Sequence, residues 1–285
     1  MPAHTSNTSR GTTLVIGAGG KTGRRVVERL TADGLPVRPA SRGAATRFDW
    51  NDSATWGPAL DGAAAAYITY HPDLALPGAA DTVGAFADQA VAAGTRRLVL
   101  LSGRGETGAR QAEERVQHSG ADWTIVRCAF FNQNFSESFF ADAVRRGRLA
   151  MPGDDTAEPF VDADDIADVV HAALTDDRHI GRLYELTGPR LLTLAQAAAE
   201  LGTAIGRQVR YQSLGTDDFA RELNGLGLPA ADAGPIAALI AEVLDGRNAH
   251  LTDGVQQALG RPPRDFGDYA RRAAASAVWH LAQTA

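Results

Sequence analysis

Lysine is nearly missing from this chain: Lys21 is the only one in 285 residues, beside twenty-seven arginines. A side-chain amine can therefore serve binding or chemistry at one position alone. Cysteine is as scarce, and Cys128 by itself excludes an internal disulfide framework and a cysteine-built zinc site. It reads as a small buried apolar residue. No apolar run approaches the ~18 residues of a membrane span. The opening MPAHTSNTSRG lacks the hydrophobic segment of a signal peptide. Basic excess is absent too, and a net charge of −6 leaves no footprint for nucleic acid. The seven histidines show no ligand spacing. The expectation is a cytoplasmic globule without nucleic-acid, membrane or metal partners.

What is present is ordinary globular composition, 44% hydrophobic and 22% charged, in a length able to bury a full core. Residues 1–10 read as a disordered tail. Over 11–129, short apolar runs alternate with Ala-rich helical stretches. Strands are expected at Leu14–Ile16, Pro36–Ala40, a short one ending at Phe48-Asp49-Trp50, Ala63–Thr69, Arg97–Leu101 and Trp123–Arg127. Helices fall between them, closed by Gly34, Gly94 and Gly120. That rhythm predicts stacked βαβ units and an α/β, Rossmann-like doubly wound parallel sheet.

After residue 130 the pattern changes: five of the ten phenylalanines (Phe130, Phe131, Phe135, Phe139, Phe140) fall within eleven residues. Residues 130–158 and 190–285 read as a smaller, mainly helical substrate-binding region, with 159–189 returning to the core. Asp162, Asp164 and Asp165 precede an apolar helix and read as its caps, not as metal ligands.

GAGGKTG, at 17–23, follows the first strand and opens a helix. In that context Gly17 permits a tight turn, Gly20 a close approach to a diphosphate and Gly23 close packing of helix on strand. The helix start offers free N–H donors and partial positive charge, and Lys21 adds a cation. After strand two, an acid would bind the ribose 2′-hydroxyl of NAD, whereas arginine suits a 2′-phosphate. The text is Ala40-Ser41-Arg42, so NADP(H) is preferred, with NAD(H) possible. Asp49 is placed to accept from the adenine amino group.

With this loop, ASR after strand two, FDW after strand three and LLSG ending strand five, the chain resembles the NmrA-like atypical short-chain dehydrogenases/reductases. RFDWNDSATW (47–56), WTIVRCAFFNQNFSE (123–137), PFVDADDIADV (159–169) and LTGPRLLT (186–193) are similar to the ergot-alkaloid-reductase branch. Composition and length also resemble actinobacterial polyketide ketoreductases of the angucyclinone type. The resemblance covers residues 12–275. It implies a cofactor seat of Gly17, Ala18, Gly19, Gly20, Lys21, Thr22, Gly23, Ser41, Arg42, Asp49 and Trp50. Thr69, Tyr70, Ser102, Gly103, Ala129, Phe130 and Phe131 complete that seat. Cys128 stands where such families often place proline.

Typical short-chain reductases protonate their product with a tyrosine whose pKa is lowered by a lysine four residues on. One lysine, held in the glycine loop, rules that pair out, and the charge developing on oxygen needs another donor. Ser102 at the end of strand five is one candidate, Tyr70 or His71 another. A substrate with its own phenolic hydroxyl is a third, and an iminium would need no proton. His71, Phe130, Phe131 and Phe135 are the expected contacts of a flat aromatic small molecule. The activity expected is NAD(P)H-dependent reduction of a polycyclic aromatic ketone or quinone in antibiotic biosynthesis. The alternatives are an iminium reductase and a non-catalytic NADP(H) redox sensor. The sequence sets no oligomeric state.

Overall fold

The computed structural model describes residues 11–280, so the tail expected at 1–10 lies outside the described residues. β1 (Thr12–Ile16) is followed by α1 (Lys21–Ala32), β2 (Val37–Ser41), β3 (Thr46–Arg47) and α2 (Trp56–Leu60). Then come β4 (Ala63–Ile68), α3 (Ala79–Ala92), β5 (Arg97–Gly103), α4 (Thr107–Gln117) and β6 (Asp122–Cys128). The second half adds α5 (Phe140–Arg145), β7 (Arg148–Met151), β8 (Ala157–Glu158), α6 (Ala163–Thr175), β9 (Arg182–Leu186) and β10 (Leu192–Thr193). The remainder is α7 (Leu194–Ile205), β11 (Arg210–Ser213), α8 (Thr216–Gly225), α9 (Ala230–Val243), α10 (Gly254–Leu259) and α11 (Phe266–Ala275).

Seven parallel strands form the central sheet in the order β3-β2-β1-β4-β5-β6-β9. Both faces are covered, so the central strands carry continuous apolar stretches, as Leu14–Ile16 and Leu98–Leu101 do. Leu14, Ile16, Leu98 and Leu100 face α3 and α4, packing on Val83, Phe86 and Val116. Val15, Tyr67 and Val99 face α1 and α6, packing on Val26, Leu30, Ile166 and Val170. Strand order reverses between β1 and β4, and that switch point opens a crevice at the carboxyl ends of the strands.

A third apolar cluster lies beyond the sheet, where Phe135, Phe140, Phe160, Phe219 and Phe266 meet the buried faces of α7, α8 and α11. Two small ladders brace it, β7 with β11 in parallel and β8 with β10 antiparallel. Not all of 190–285 belongs there: Val255 of α10 packs into the sheet-side core beside β9 and α6. β3 also ends before Phe48, because Asp49 starts a turn in which its carboxylate accepts from the Asn51 amide at 3.0 Å. The sheet layer and the outer cluster are joined by charge where Arg24 and Arg25 of α1 grip Glu137 at 2.7 and 2.8 Å, while Arg29 ties α1 to α6 through Asp168 at 2.6 Å.

Phe135 corrects an expectation. It has no exposed surface, its ring packs on Phe160 at 5.6 Å and Phe266 at 5.7 Å, and its carbonyl accepts from the Trp279 indole at 2.7 Å. It is a core residue, not a substrate contact. Phe135→Ala is expected to cost roughly 3–5 kcal/mol of unfolding free energy, read by urea titration. A loss below about 1 kcal/mol would contradict this packing.

Candidate active site

The glycine turn is built by steric necessity. Gly17 has φ +70°, and a side chain there would run into the Thr69 hydroxyl. Its amide donates to the Ala40 carbonyl at 3.0 Å and the Ala18 amide to the same oxygen at 3.2 Å, tying the turn to β2. A Cβ on Gly23 would penetrate the Gly17 carbonyl oxygen and stand 2.8 Å from the Gly17 carbonyl carbon. Ala18 and Gly23 thus shape the loop from behind. Gly17, Gly19, Gly20 and Lys21 line a cavity of about 650 Å³. A Cβ on Gly19 would meet no protein atom within 4 Å. Gly20 caps α1 with no side-chain bond, so the first-turn amides of the helix remain donors toward that space.

Around the same cavity stand Ser41 and Arg42 at the end of β2, Asp49 and Trp50 after β3, and Thr69, Tyr70 and His71 after β4. Trp50 donates its indole N–H to the Thr69 carbonyl at 3.0 Å, and the Thr69 hydroxyl donates to the Ile16 carbonyl at 3.0 Å. These bonds lock the rim together. Thr22 also lines the cavity, but its hydroxyl accepts from buried Tyr67 at 2.9 Å. Among the described residues, Arg42 and Lys21 form no ion pair. Burial holds the Lys21 ammonium below the usual lysine range, with Glu137 opposing and Arg24 and Arg25 reinforcing that shift. Two cations thus face the cavity without a protein anion bound to either. The residues present fit a dinucleotide phosphate.

The far wall is apolar: Phe130, Phe131, Phe139 and Phe140, with Ile236, Leu239, Ile240 and Val243 of α9 laid over them. Gly103 and Ala129 form the floor. Ser102 also reaches the cavity, yet it does not offer its proton there. Its hydroxyl donates to Glu113 of α4 at 2.5 Å, the residue is 3% exposed, and Glu113 is held in turn by Arg127. A serine has one O–H to give, so the structure corrects the expectation of Ser102 as proton donor.

Sequence reasoning missed the acids of this cleft. Glu106 lies three residues beyond Gly103, and Asp73 two beyond His71. Burial, then the nearby Asp73, Glu242 and Glu113, push the Glu106 carboxyl up to about 8. Burial also raises Asp73, against the Ala75 amide bond and His71. His71 is lowered by burial and by Arg42, with Asp232 and Asp73 opposing. The α9 residues did leave a signal: 236, 239, 240 and 243 share one face of a helix.

Glycine turn, parallel sheet and a cavity at the switch point define a dinucleotide-binding α/β protein. The NAD(P)H-binding family matches residues 17–177 and the NmrA-like family residues 110–255. This chain belongs to the NmrA-like family and is an NAD(P)H-dependent oxidoreductase. It is similar to the NAD(P)H azoreductase of Xenophilus azovorans, 30% identical over 285 residues and spanning 92% of this chain and 98% of that one. Agroclavine dehydrogenase of Claviceps fusiformis is 30% identical over 279 residues, 90% of this chain and 96% of its own. The Escherichia coli NADPH-dependent quinone oxidoreductase, solved with NADPH, shares the fold with a TM-score of 0.76 at 24% identity. It covers 92% of this chain and 99% of that one. Among the described residues no helix is long and apolar enough to cross a membrane.

Proposed function

We propose that the chain reduces a flat polycyclic aromatic ketone or quinone of the angucyclinone polyketide type, as a cytoplasmic step of antibiotic biosynthesis. NADPH is used in preference to NADH. The observation that carries this reading is one cavity lined both by the glycine loop and Arg42 and by four phenylalanines and α9 aliphatics. In this reading the Gly19 amide, the first-turn amides of α1 and Lys21 bind the diphosphate, Ser41 and Arg42 the 2′-phosphate, and Asp49 the adenine amino group. Tyr70, Gly103, Ala129, Phe130 and Phe131 surround the nicotinamide, which supplies hydride when bound. Phe139, Phe140 and His71 hold the substrate against it, excluding water from the reacting carbon. The azo acceptor implied by the name of one relative, an NAD(P)H azoreductase, is likewise conjugated.

The test is oxidation of NADPH, followed by nicotinamide absorbance, with hydroxylated anthraquinones, angucyclinones and cyclic imines. Turnover of the polycyclic ketones or quinones is expected, and tight NADPH binding with no turnover of any of them would overturn the reading. A second reading, an iminium reductase, is favoured by the Asp73 carboxyl lining the cavity, which would pair with a cation. Turnover of cyclic imines alone would select it.

A further inference from the structure

We propose that Glu106 is the proton donor of the reduction, taking the place of the missing tyrosine–lysine pair. The inference rests on the reductase reading above and names its acid. Glu106 is the residue at the N-terminal boundary of α4, where an acidic side chain ordinarily turns back to cap the helix. Here it makes no capping bond. The carboxyl instead lies flat against Gly103, filling the space that a side chain at 103 would occupy, and faces the cavity. Among the described residues it has no hydrogen-bond or ion-pair partner, so its proton is uncommitted.

The surroundings keep that proton in place. Facing groups are acidic: Asp73 from the β4–α3 connection, Glu242 from α9 and Glu113 from α4. The neighbouring cations are spent elsewhere, Arg104 on Glu185 at 2.6 Å and Arg247 on Asp245 at 2.8 Å. His71 also lines the cavity and is held toward neutrality by burial and by Arg42. A charged carboxylate would repel the oxyanion that forms during reduction, whereas a neutral carboxyl donates to it.

The carbonyl carbon gains hydride from the reduced nicotinamide, and the C=O π pair moves to oxygen. That oxygen takes the Glu106 proton, giving the alcohol, the oxidised cofactor and a Glu106 carboxylate. Solvent water returns the proton to the Glu106 carboxylate.

The experiment compares Glu106→Gln with the parent chain. The amide keeps shape and polarity but has no transferable proton. With an anthraquinone or polycyclic ketone, kcat is expected to fall by about 10²–10⁴-fold, while NADPH affinity is retained. A cationic triphenylmethane dye or cyclic iminium, neutralised by hydride alone, should turn over at the parent rate. In the parent, kcat/KM for the ketone should decline as pH rises through about 8, and in Glu106→Gln that limb should vanish. The readout independent of turnover is infrared: a protonated-carboxyl stretch at pH 7, lost in Glu106→Gln and titrating in the parent. Unchanged ketone turnover in a variant that binds NADPH, or absence of that band, would overturn the assignment. Failure of the parent to reduce any acceptor would instead overturn the reductase reading itself. Should Glu106→Gln not fold, the parent's pH limb near 8 decides, since buried Glu158, raised to about 7, contributes a carboxyl band of its own.

Discussion

Gly23→Ala is expected to dismantle the phosphate loop. The added methyl meets backbone, namely the Gly17 carbonyl and, at 3.1 Å, the Ala18 Cα, and backbone cannot rotate aside as a side chain can. Overpacking of this kind costs about 3 kcal/mol, and the turn can relieve it only by lifting away from α1. Lifting it breaks the alignment of the first-turn amides. NADPH affinity should therefore drop by at least about a hundredfold, or ~2.7 kcal/mol. Urea unfolding and fluorescence titration with NADPH check both halves. Gly19→Ala is the matched control, since its methyl meets no protein atom and should leave unfolding unchanged. Equal stability of the two variants would refute the steric argument.

Arg42→Ala is expected to separate the two cofactors. Arg42 is exposed, stands at the end of β2 and, among the described residues, has no anionic partner. Charge-assisted bonds of this kind contribute about 1.5–3 kcal/mol. NADPH affinity should thus fall by roughly 10- to 150-fold, with NADH hardly affected. Because the guanidinium is exposed, the NADPH preference of the parent should also shrink as salt rises. Equal losses for both cofactors would remove the 2′-phosphate assignment.

The sheet could be read from the sequence because its strands are covered on both faces. Runs such as Leu98–Leu101 are then continuously apolar, and α1, α3 and α4 each stop just before a glycine with positive φ: Gly34, Gly94 and Gly120. β7, β8, β10 and β11 left no such mark. They are two to four residues long and exist only through partners far along the chain, as Arg148 with Arg210. Within the phenylalanine cluster, sequence could not tell wall from core. Phe130 and Phe135 differ only in how the turn at Asn132–Phe135 aims their rings. Ser102 is instructive in another way. It continues the Leu98, Leu100 series of β5, the face that meets α4, so strand alternation already directed it toward Glu113. Glu106 stayed hidden because a carboxylate at a helix start is an ordinary cap unless its geometry is seen.

The grip of Arg24 and Arg25 on Glu137 has one more consequence. Burial alone would raise the Glu137 carboxyl, yet the two guanidiniums hold it at about 2. The clasp therefore stays ionised across the whole range in which cells work. It rivets the segment bearing the aromatic wall to the very helix whose first turn receives the nucleotide. In the proposed reading, the seats of nicotinamide and acceptor would thus share one frame anchored on α1.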